Sequence, residues 1–316
     1  MTSDASWRLF RGDGVPRGID SLPPAPPWRR FGDRPRSDTS ASPYLISPGH
    51  ADVVSAALHL RRPLLVTGQP GTGKSSLARA IAHELQLGEV LHWPVNSRST
   101  VSEALYRYDA VGRLRETALT RDQEREEPPI GTFVRLGPLG TALVPRLRPR
   151  VLLVDELDKG DVDLPNDLLT VFEEGEYEIP ELARLPEDQS VVEVLSADAE
   201  TQVTVVRGRV RCHEFPVVVI TSNGERDFPP AFLRRCVRLE LPPPDSERLR
   251  EIVAAHLGEE AVSGVDDLLQ DFLSRRQRGG LATDQLLNAV FLRAGGVDLE
   301  ADGLLEAVVH RLGGTI

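Results

Sequence analysis

Gly68-Gln69-Pro70-Gly71-Thr72-Gly73-Lys74-Ser75 has the residue types and spacing of a loop that cradles phosphate. Its glycines let backbone N–H groups turn inward, where a side chain would block an approaching phosphate. A helix beginning near Lys74 would add its positive dipole end. Lys74 would reach the β- and γ-phosphates of a nucleotide, and the Ser75 hydroxyl would ligate Mg²⁺. Ser76 carries the phosphate-binding segment into that helix. A glycine turn of no chemical consequence is the plain alternative. The eight-residue pattern between a strand and a helix speaks against it.

Three further places could complete the chemistry. Asp155-Glu156 follows an apolar run. Asp155 suits the Mg²⁺ shell through water, and Glu156 suits polarisation of an attacking water. Acids also follow strands as helix N-caps, but beside a complete phosphate loop the chemical role carries more weight. Asn223, in Thr221-Ser222-Asn223, offers a carboxamide to a γ-phosphate or to the attacking water. Asparagine also favours turns for backbone reasons. Arg234-Arg235 follows the short apolar stretch Pro230-Ala231-Phe232-Leu233. The pair is either surface charge or a cation offered to a neighbouring subunit's nucleotide, an arrangement worth about 10³–10⁵ in rate.

These groups need a scaffold. Leu64-Leu65-Val66-Thr67 reads as a buried strand feeding the loop, and Leu77, Ile81 and Leu85 share one face of the helix after it. Val151–Val154 and Val217–Ile220 read as two more buried strands. Continuous apolar strands separated by helices predict an α/β fold, a three-layer αβα core around a parallel sheet. Val191–Val194 and Gln202–Val210 alternate in character and predict a β-hairpin inserted into that core. Ser47-Pro48 predicts a helix start, with Val53, Val54, Ala57 and Leu58 on one face. The mixed-charge run 121–127 reads as a solvated loop.

Pro242-Pro243-Pro244 marks a boundary, and helical spacing over 246–256, 265–273, 284–293 and 304–312 predicts a small helical domain. The chain therefore divides into a flexible arm at 1–43, a nucleotide-binding core at 44–242 and a helical lid domain at 243–316. In the arm, Ser21-Leu22-Pro23-Pro24-Ala25-Pro26-Pro27 can hold neither a helix nor a central strand. It is either a tail or a docking segment for a partner.

Composition removes several classes of function. With 316 residues, 40% hydrophobic and 27% charged, the chain can build a sizeable core. No apolar run approaches the roughly 18 residues of a membrane span, and no signal peptide is legible, so a cytoplasmic location is expected. Cys212 and Cys236 have neither disulfide-framework nor zinc spacing. A net charge of −11 argues against broad nucleic-acid binding. Of 37 basic residues only Lys74 and Lys159 are lysines.

Taken in order, the phosphate loop, Val151–Glu156, Asn223 and Arg234-Arg235 resemble an AAA+ ATPase. Tyr106-Arg107-Tyr108-Asp109-Ala110, Gly137-Pro138-Leu139-Gly140, Asp155-Glu156-Leu157-Asp158-Lys159 and 221–236 look like the MoxR-like branch, in the clade with a helix-2 insert and a pre-sensor-1 hairpin. The resemblance covers about residues 44–295. It implies Walker A roles for Lys74 and Ser75, Walker B roles for Asp155 and Glu156, and a sensor-1 role for Asn223. Arg235 takes the finger position, with Arg234 as neighbour or substitute. Asn96 would restrain Glu156, and Ile46 would lie near the adenine. The helix-2 insert would fall within about 97–136 and the hairpin within about 180–211.

ATP and Mg²⁺ are the implied cofactors. A homo-oligomeric ring, a hexamer, is the implied assembly, remodelling a client protein alongside a von Willebrand factor A-domain partner. One departure stands out: the late helix beginning at Ala282-Thr283-Asp284-Gln285 lacks the sensor-2 arginine, and Arg275, Arg276 and Arg278 lie upstream. That absence keeps open a low-turnover nucleotide-dependent switch. A nucleic-acid-stimulated motor of the same clade is the other alternative. Cys236 could be a redox switch or a small buried hydrophobe. Tyr106 and Tyr108 could grip substrate or pack the insert.

Overall fold

A computed structural model describes residues 9, 23–29, 44, 46–123, 128–198, 201–278, 281–299 and 303–309. Two compact units emerge. One comprises Tyr44–Thr67 and Lys74–Glu240; the other comprises Gly68–Gly73, Leu241–Ile316 and Met1–Pro43.

The strands of the first unit are β1 (Leu64–Thr67), β2 (Leu91–Pro94), β3 (Tyr106–Tyr108), β4 (Val134–Leu136), β5 (Val151–Asp155), β6 (Glu176–Glu178), β7 (Val191–Leu195), β8 (Gln202–Val206), β9 (Arg209–Arg211), β10 (Val217–Ser222) and β11 (Val237–Glu240). Its helices are α1 (Pro48–Leu60), α2 (Lys74–Glu84), α3 (Val101–Leu105), α4 (Ala110–Gln123), α5 (Pro138–Ala142), α6 (Leu164–Glu174), α7 (Pro180–Ala183) and α8 (Pro230–Leu233). Five strands form an all-parallel sheet in the order β11-β1-β10-β5-β2, flanked by helices, as the α/β expectation requires.

Local sequence explains the sheet. Val151, Leu152, Leu153 and Val154 are fully buried, as a central parallel strand covered on both faces requires. The edge strand β2 alternates instead: Leu91 and Trp93 face the core, His92 and Pro94 face outward. Pro94 is tolerated there because an edge strand leaves N–H positions unpaired. Because the strands run parallel, their C-terminal ends share one edge. The register pairs Thr67 with Ser222 and Glu240, and Asp155 with Pro94. At the start of α1, Ser47 accepts the His50 N–H at 3.3 Å with Pro48 in the first turn.

The expected hairpin is part of a larger object. β7 and β8 pair antiparallel from Val191↔Val206 to Leu195↔Gln202, inside a six-stranded sheet of order β3-β4-β7-β8-β9-β6. β3, β4, β6 and β9 have three residues each, too few for alternation to declare itself in sequence. Val192, Val194, Val203 and Val205 point inward and join one hydrophobic core with Leu152 and Val154. Arg207 (φ 52°) and Gly208 (φ 68°) link β8 to β9, the paired left-handed conformation of a two-residue type I′ turn.

Two local expectations shift. α4 continues to Gln123, so the first residues of the run read as a solvated loop are helical. Residues 124–127 lie outside the described residues. Leu77 and Ile81 are buried as expected, but Leu85 falls past the end of α2 and is exposed.

The second unit contains α9 (Ser246–Leu257), α10 (Glu259–Val262), α11 (Asp266–Arg278), α12 (Thr283–Ala294) and α13 (Leu304–Val308). Leu249, Val253, Leu269, Phe272, Leu286 and Val290 form its own core. Asp245 caps α9 by accepting the Arg248 N–H at 2.8 Å. Most of the arm at 1–43 lies outside the described residues. Its piece Pro27–Arg29 forms a 3₁₀ turn, and the Trp28 ring meets Phe291 edge-on at 6.1 Å. Among the described residues, no helix is long and apolar enough to cross a membrane.

A side chain at position 208 would be strained twice. Its φ is left-handed, and a Cβ would sit 2.4 Å from Ala183 N and 2.6 Å from Ile179 O. Gly208→Ala is expected to cost about 2 kcal/mol or more. Urea denaturation checks this; wild-type stability would exclude the turn geometry.

Candidate functional site

The C-terminal ends of β5 and β10 and the first turn of α2 converge on one carboxylate. Asp155 Oδ1 accepts hydrogen bonds from Ser75 Oγ and from Thr221 Oγ1, both at 2.7 Å. Asp155 Oδ2 lies 3.1 Å from His92 Nε2. Burial works to raise the Asp155 carboxyl, yet bonds from His92, Ser75 and Thr221 outweigh it and hold the group at about 2.

Glu156 leaves the strand in a left-handed conformation, φ 60°. A glutamate there is strained, and two features compensate. Its N–H donates to Thr221 Oγ1 at 2.8 Å, and Asn223 Nδ2 approaches its Oε1 at 3.4 Å. The Thr221 hydroxyl thus donates to Asp155 while accepting from Glu156, which uses its single donor and fixes two neighbouring acids together.

Asp158, 3% exposed, stabilises the loop after β10. Its Oδ2 accepts the N–H groups of Asn223 at 2.9 Å and Glu225 at 3.1 Å. Lys159 pairs with Glu225 in the same loop. Lys74 begins α2 and is buried. Burial pushes its ammonium below the usual range, while the charges of Asp158, Glu156 and Asp155 draw it back up. The expected residues Lys74, Ser75, Asp155, Glu156 and Asn223 are therefore gathered in one neighbourhood.

Asn96 keeps its side-chain oxygen on the Arg98 N–H at 2.9 Å, so the amide that meets Glu156 is Asn223's. Arg234 and Arg235 are exposed after α8, which Phe232 anchors in the core. Arg235 pairs with Glu173 of α6 and donates to the Ala231 carbonyl at 3.1 Å. Ser76 is exposed on α2, and Ile46 is half-buried before α1. Cys236 is buried, and burial pushes its thiol up to about 12, which leaves little reactive thiolate for a redox role. Tyr106 donates to Glu181 at 2.9 Å and Tyr108 accepts from Arg113 at 3.1 Å; both pack against the core.

In the second unit, Gly68, Gly71 and Gly73 all have positive φ, and Thr72 Oγ1 donates to the Gln69 carbonyl at 2.9 Å across the Pro70-Gly71 bend. A Cβ on Gly71 would come within 2.5 Å of Thr283 N at the start of α12. That helix begins with Thr283 and Asp284, and no arginine stands there. Arg275 pairs with Asp271, and Arg276 donates to the Pro244 carbonyl at 2.8 Å over the Phe272 ring.

Sequence reasoning missed His92 and the organising role of Asp158. The spacing Asp155-Glu156-Leu157-Asp158 was a signal for the second. His92 becomes visible only once β2 is known to lie beside β5. The donor set suits a hard cation: one hydroxyl and one ionised carboxylate, both oxygen ligands. Among the described residues, no group of three or more His, Cys, Asp or Glu side chains could hold a metal by itself.

A family model described as AAA domain (dynein-related subfamily) matches residues 63–236. No curated protein matches the chain. Among solved structures, NtrX from Brucella abortus in complex with ATP is 16% identical, with 86% of this chain and 58% of that one covered and a TM-score of 0.44. The same protein in complex with ADP gives 16% identity, 78% and 49% coverage, and a TM-score of 0.39. PCH-2 from C. elegans gives 15% identity, 73% and 51% coverage, and a TM-score of 0.34. The chain thus spans only about half of these proteins, 49% to 58% of their length, and the likeness is too distant to bear on activity.

Asp158→Ala removes the acceptor that fixes the Asn223 and Glu225 amides. Hydrogen bonds to a charged group contribute about 1.5–3 kcal/mol, so those amides are expected to exchange about tenfold to a hundredfold faster. Hydrogen exchange checks this; unchanged protection at 223 and 225 would exclude the role.

Proposed function

The chain belongs to the AAA domain family, dynein-related subfamily, and on that premise we propose that it binds ATP with Mg²⁺ and hydrolyses the γ-phosphate. The observation that carries the proposal is the shared Asp155 oxygen, met at 2.7 Å by both Ser75 and Thr221, with Glu156 held directly beside it. Backbone N–H groups of Gly68–Gly73 would receive the phosphates, and Lys74 would neutralise the β- and γ-oxygens. Mg²⁺, held by Ser75 and Asp155 when bound, supplies further charge neutralisation on the phosphate oxygens. Glu156 would orient the attacking water and take its proton, and Asn223 would fix the geometry of that carboxylate.

The same reading makes the active form a ring of copies, with Arg235 of one subunit completing the nucleotide site of the next. Glu173 holds Arg235 within its own chain, so assembly would exchange that partner for a γ-phosphate. The MoxR-like resemblance further supports a remodelling role on a client protein, with a von Willebrand factor A-domain protein as the companion. A second reading, a nucleotide-dependent switch with slow turnover, is favoured by Thr283 and Asp284 at the start of α12, where a sensor-2 arginine would stand.

Three substitutions separate these roles. Lys74→Ala is expected to abolish tight ATP binding, and unchanged affinity in a nucleotide titration would remove the site assignment. Glu156→Gln is expected to keep ATP affinity while lowering turnover about 10²-fold or more; undiminished turnover excludes Glu156 as the base. Arg235→Ala is expected to depress turnover without unfolding the chain. Mixed with Lys74→Ala subunits it should regain activity at hybrid interfaces, and verified mixed rings without any recovery would count against supply in trans.

A further inference from the structure

Among the described residues, Ser75, Thr221 and His92 meet the Asp155 carboxylate, and the proposed mechanism gives His92 no task. It lies on the edge strand β2, where the register places it opposite Leu153, two residues before Asp155 on the same face of the sheet. Leu91 and Trp93 turn into the core, so the alternation of the strand directs His92 toward the chemistry at the end of β5. Its imidazole is 43% exposed, and Nε2 stands 3.1 Å from Asp155 Oδ2. An ionised carboxylate can only accept hydrogen bonds, so this nitrogen carries the proton.

The distribution of donors over the two carboxylate oxygens gives the histidine its significance. Ser75 and Thr221 both bind Oδ1, which fixes that oxygen as a point. Two bonds to one oxygen leave the carboxylate plane able to swing, because the terminal torsion of an aspartate is broad. A donor on Oδ2 removes that freedom. The hydroxyl of Ser75 is also the bond that would be surrendered to an incoming cation, so the His92 contact would persist when the Ser75 contact changes.

We propose that His92 is a positioning residue for the divalent cation: its Nε2–H holds the plane in which Asp155 meets the ion or its bound water. The proposal rests on the reading of Asp155 as part of the metal shell. Partners that orient a metal-binding carboxylate or imidazole typically contribute about 10- to 100-fold in metal affinity or activity. The exposed position of His92 places the expected effect at the low end.

The test uses the full chain with Mn²⁺ in place of Mg²⁺, titrated into the ADP complex and followed by electron paramagnetic resonance. His92→Ala is expected to weaken Mn²⁺ binding about tenfold while leaving ADP affinity in the absence of metal unchanged. His92→Gln, which retains an N–H donor of similar reach, is expected to recover most of the loss. Wild-type Mn²⁺ affinity in His92→Ala, or an equal loss of metal-free ADP binding, would overturn the proposal. So would failure of His92→Gln to improve on alanine. Direct ¹⁴N coupling from His92 to bound Mn²⁺ would overturn it too, since the imidazole would then be a ligand. Asp155→Asn separates the premise from the proposal. If it leaves Mn²⁺ affinity untouched, Asp155 is not in the metal shell; if it weakens Mn²⁺ and His92→Ala does not, only the role of His92 fails.

Discussion

One carboxylate oxygen ties together three separate stretches of chain. Asp155 Oδ1 draws the Ser75 hydroxyl from the first turn of α2 and the Thr221 hydroxyl from the end of β10 onto the end of β5. The charge on Asp155 makes these bonds stronger than neutral ones. The acid is partly buried, and leaving it without donors would be costly, so the arrangement constrains its surroundings. Thr221 in turn spends its acceptor on the Glu156 N–H, which stabilises a left-handed glutamate that an unsupported strand end would not retain. Strain at Glu156 and charge at Asp155 are resolved by the same hydroxyl.

The parallel sheet makes this possible. Strands running one way deliver Thr67, Ser222, Asp155 and Pro94 to a common edge, and the order β11-β1-β10-β5-β2 sets β10 between β1 and β5. The residues after β10 therefore fall beside the acidic pair at the end of β5. Asp158 then reaches forward to the amides of Asn223 and Glu225, so the loop is held by the same short segment that carries the acids. The second sheet shares its core with the first, Val194 and Val205 joining Leu152 and Val154. An insertion that shares a core cannot move independently of the strands beneath it without exposing apolar surface.

Much of this was legible in sequence because its causes are local. Val151–Val154 are fully buried, and a continuous apolar run declares such a strand. The glycines of the phosphate loop declare themselves through positive φ, and Ser47-Pro48 through helix capping. What escaped depends on long-range pairing. β2 alternates over four residues, β3 and β4 have three each, and none exceeds the background of chance periodicity. His92 gains meaning only from a strand that lies beside it in space, some sixty residues along the chain. The contact between Trp28 and Phe291 likewise spans a sequence distance over which no periodicity operates.

The scarcity of lysine has a consequence beyond charge. One of the two lysines is buried at the head of α2, and the other pairs with Glu225 on the loop that Asp158 fixes. Every lysine side chain therefore stands at or beside the same group of acids. Acylation of a lysine side chain, chemical or enzymatic, has no neutral location here. It would either remove the buried ammonium at 74 or break the ion pair at 159, and in both cases Glu156 and Asp158 would lose a neighbouring positive charge.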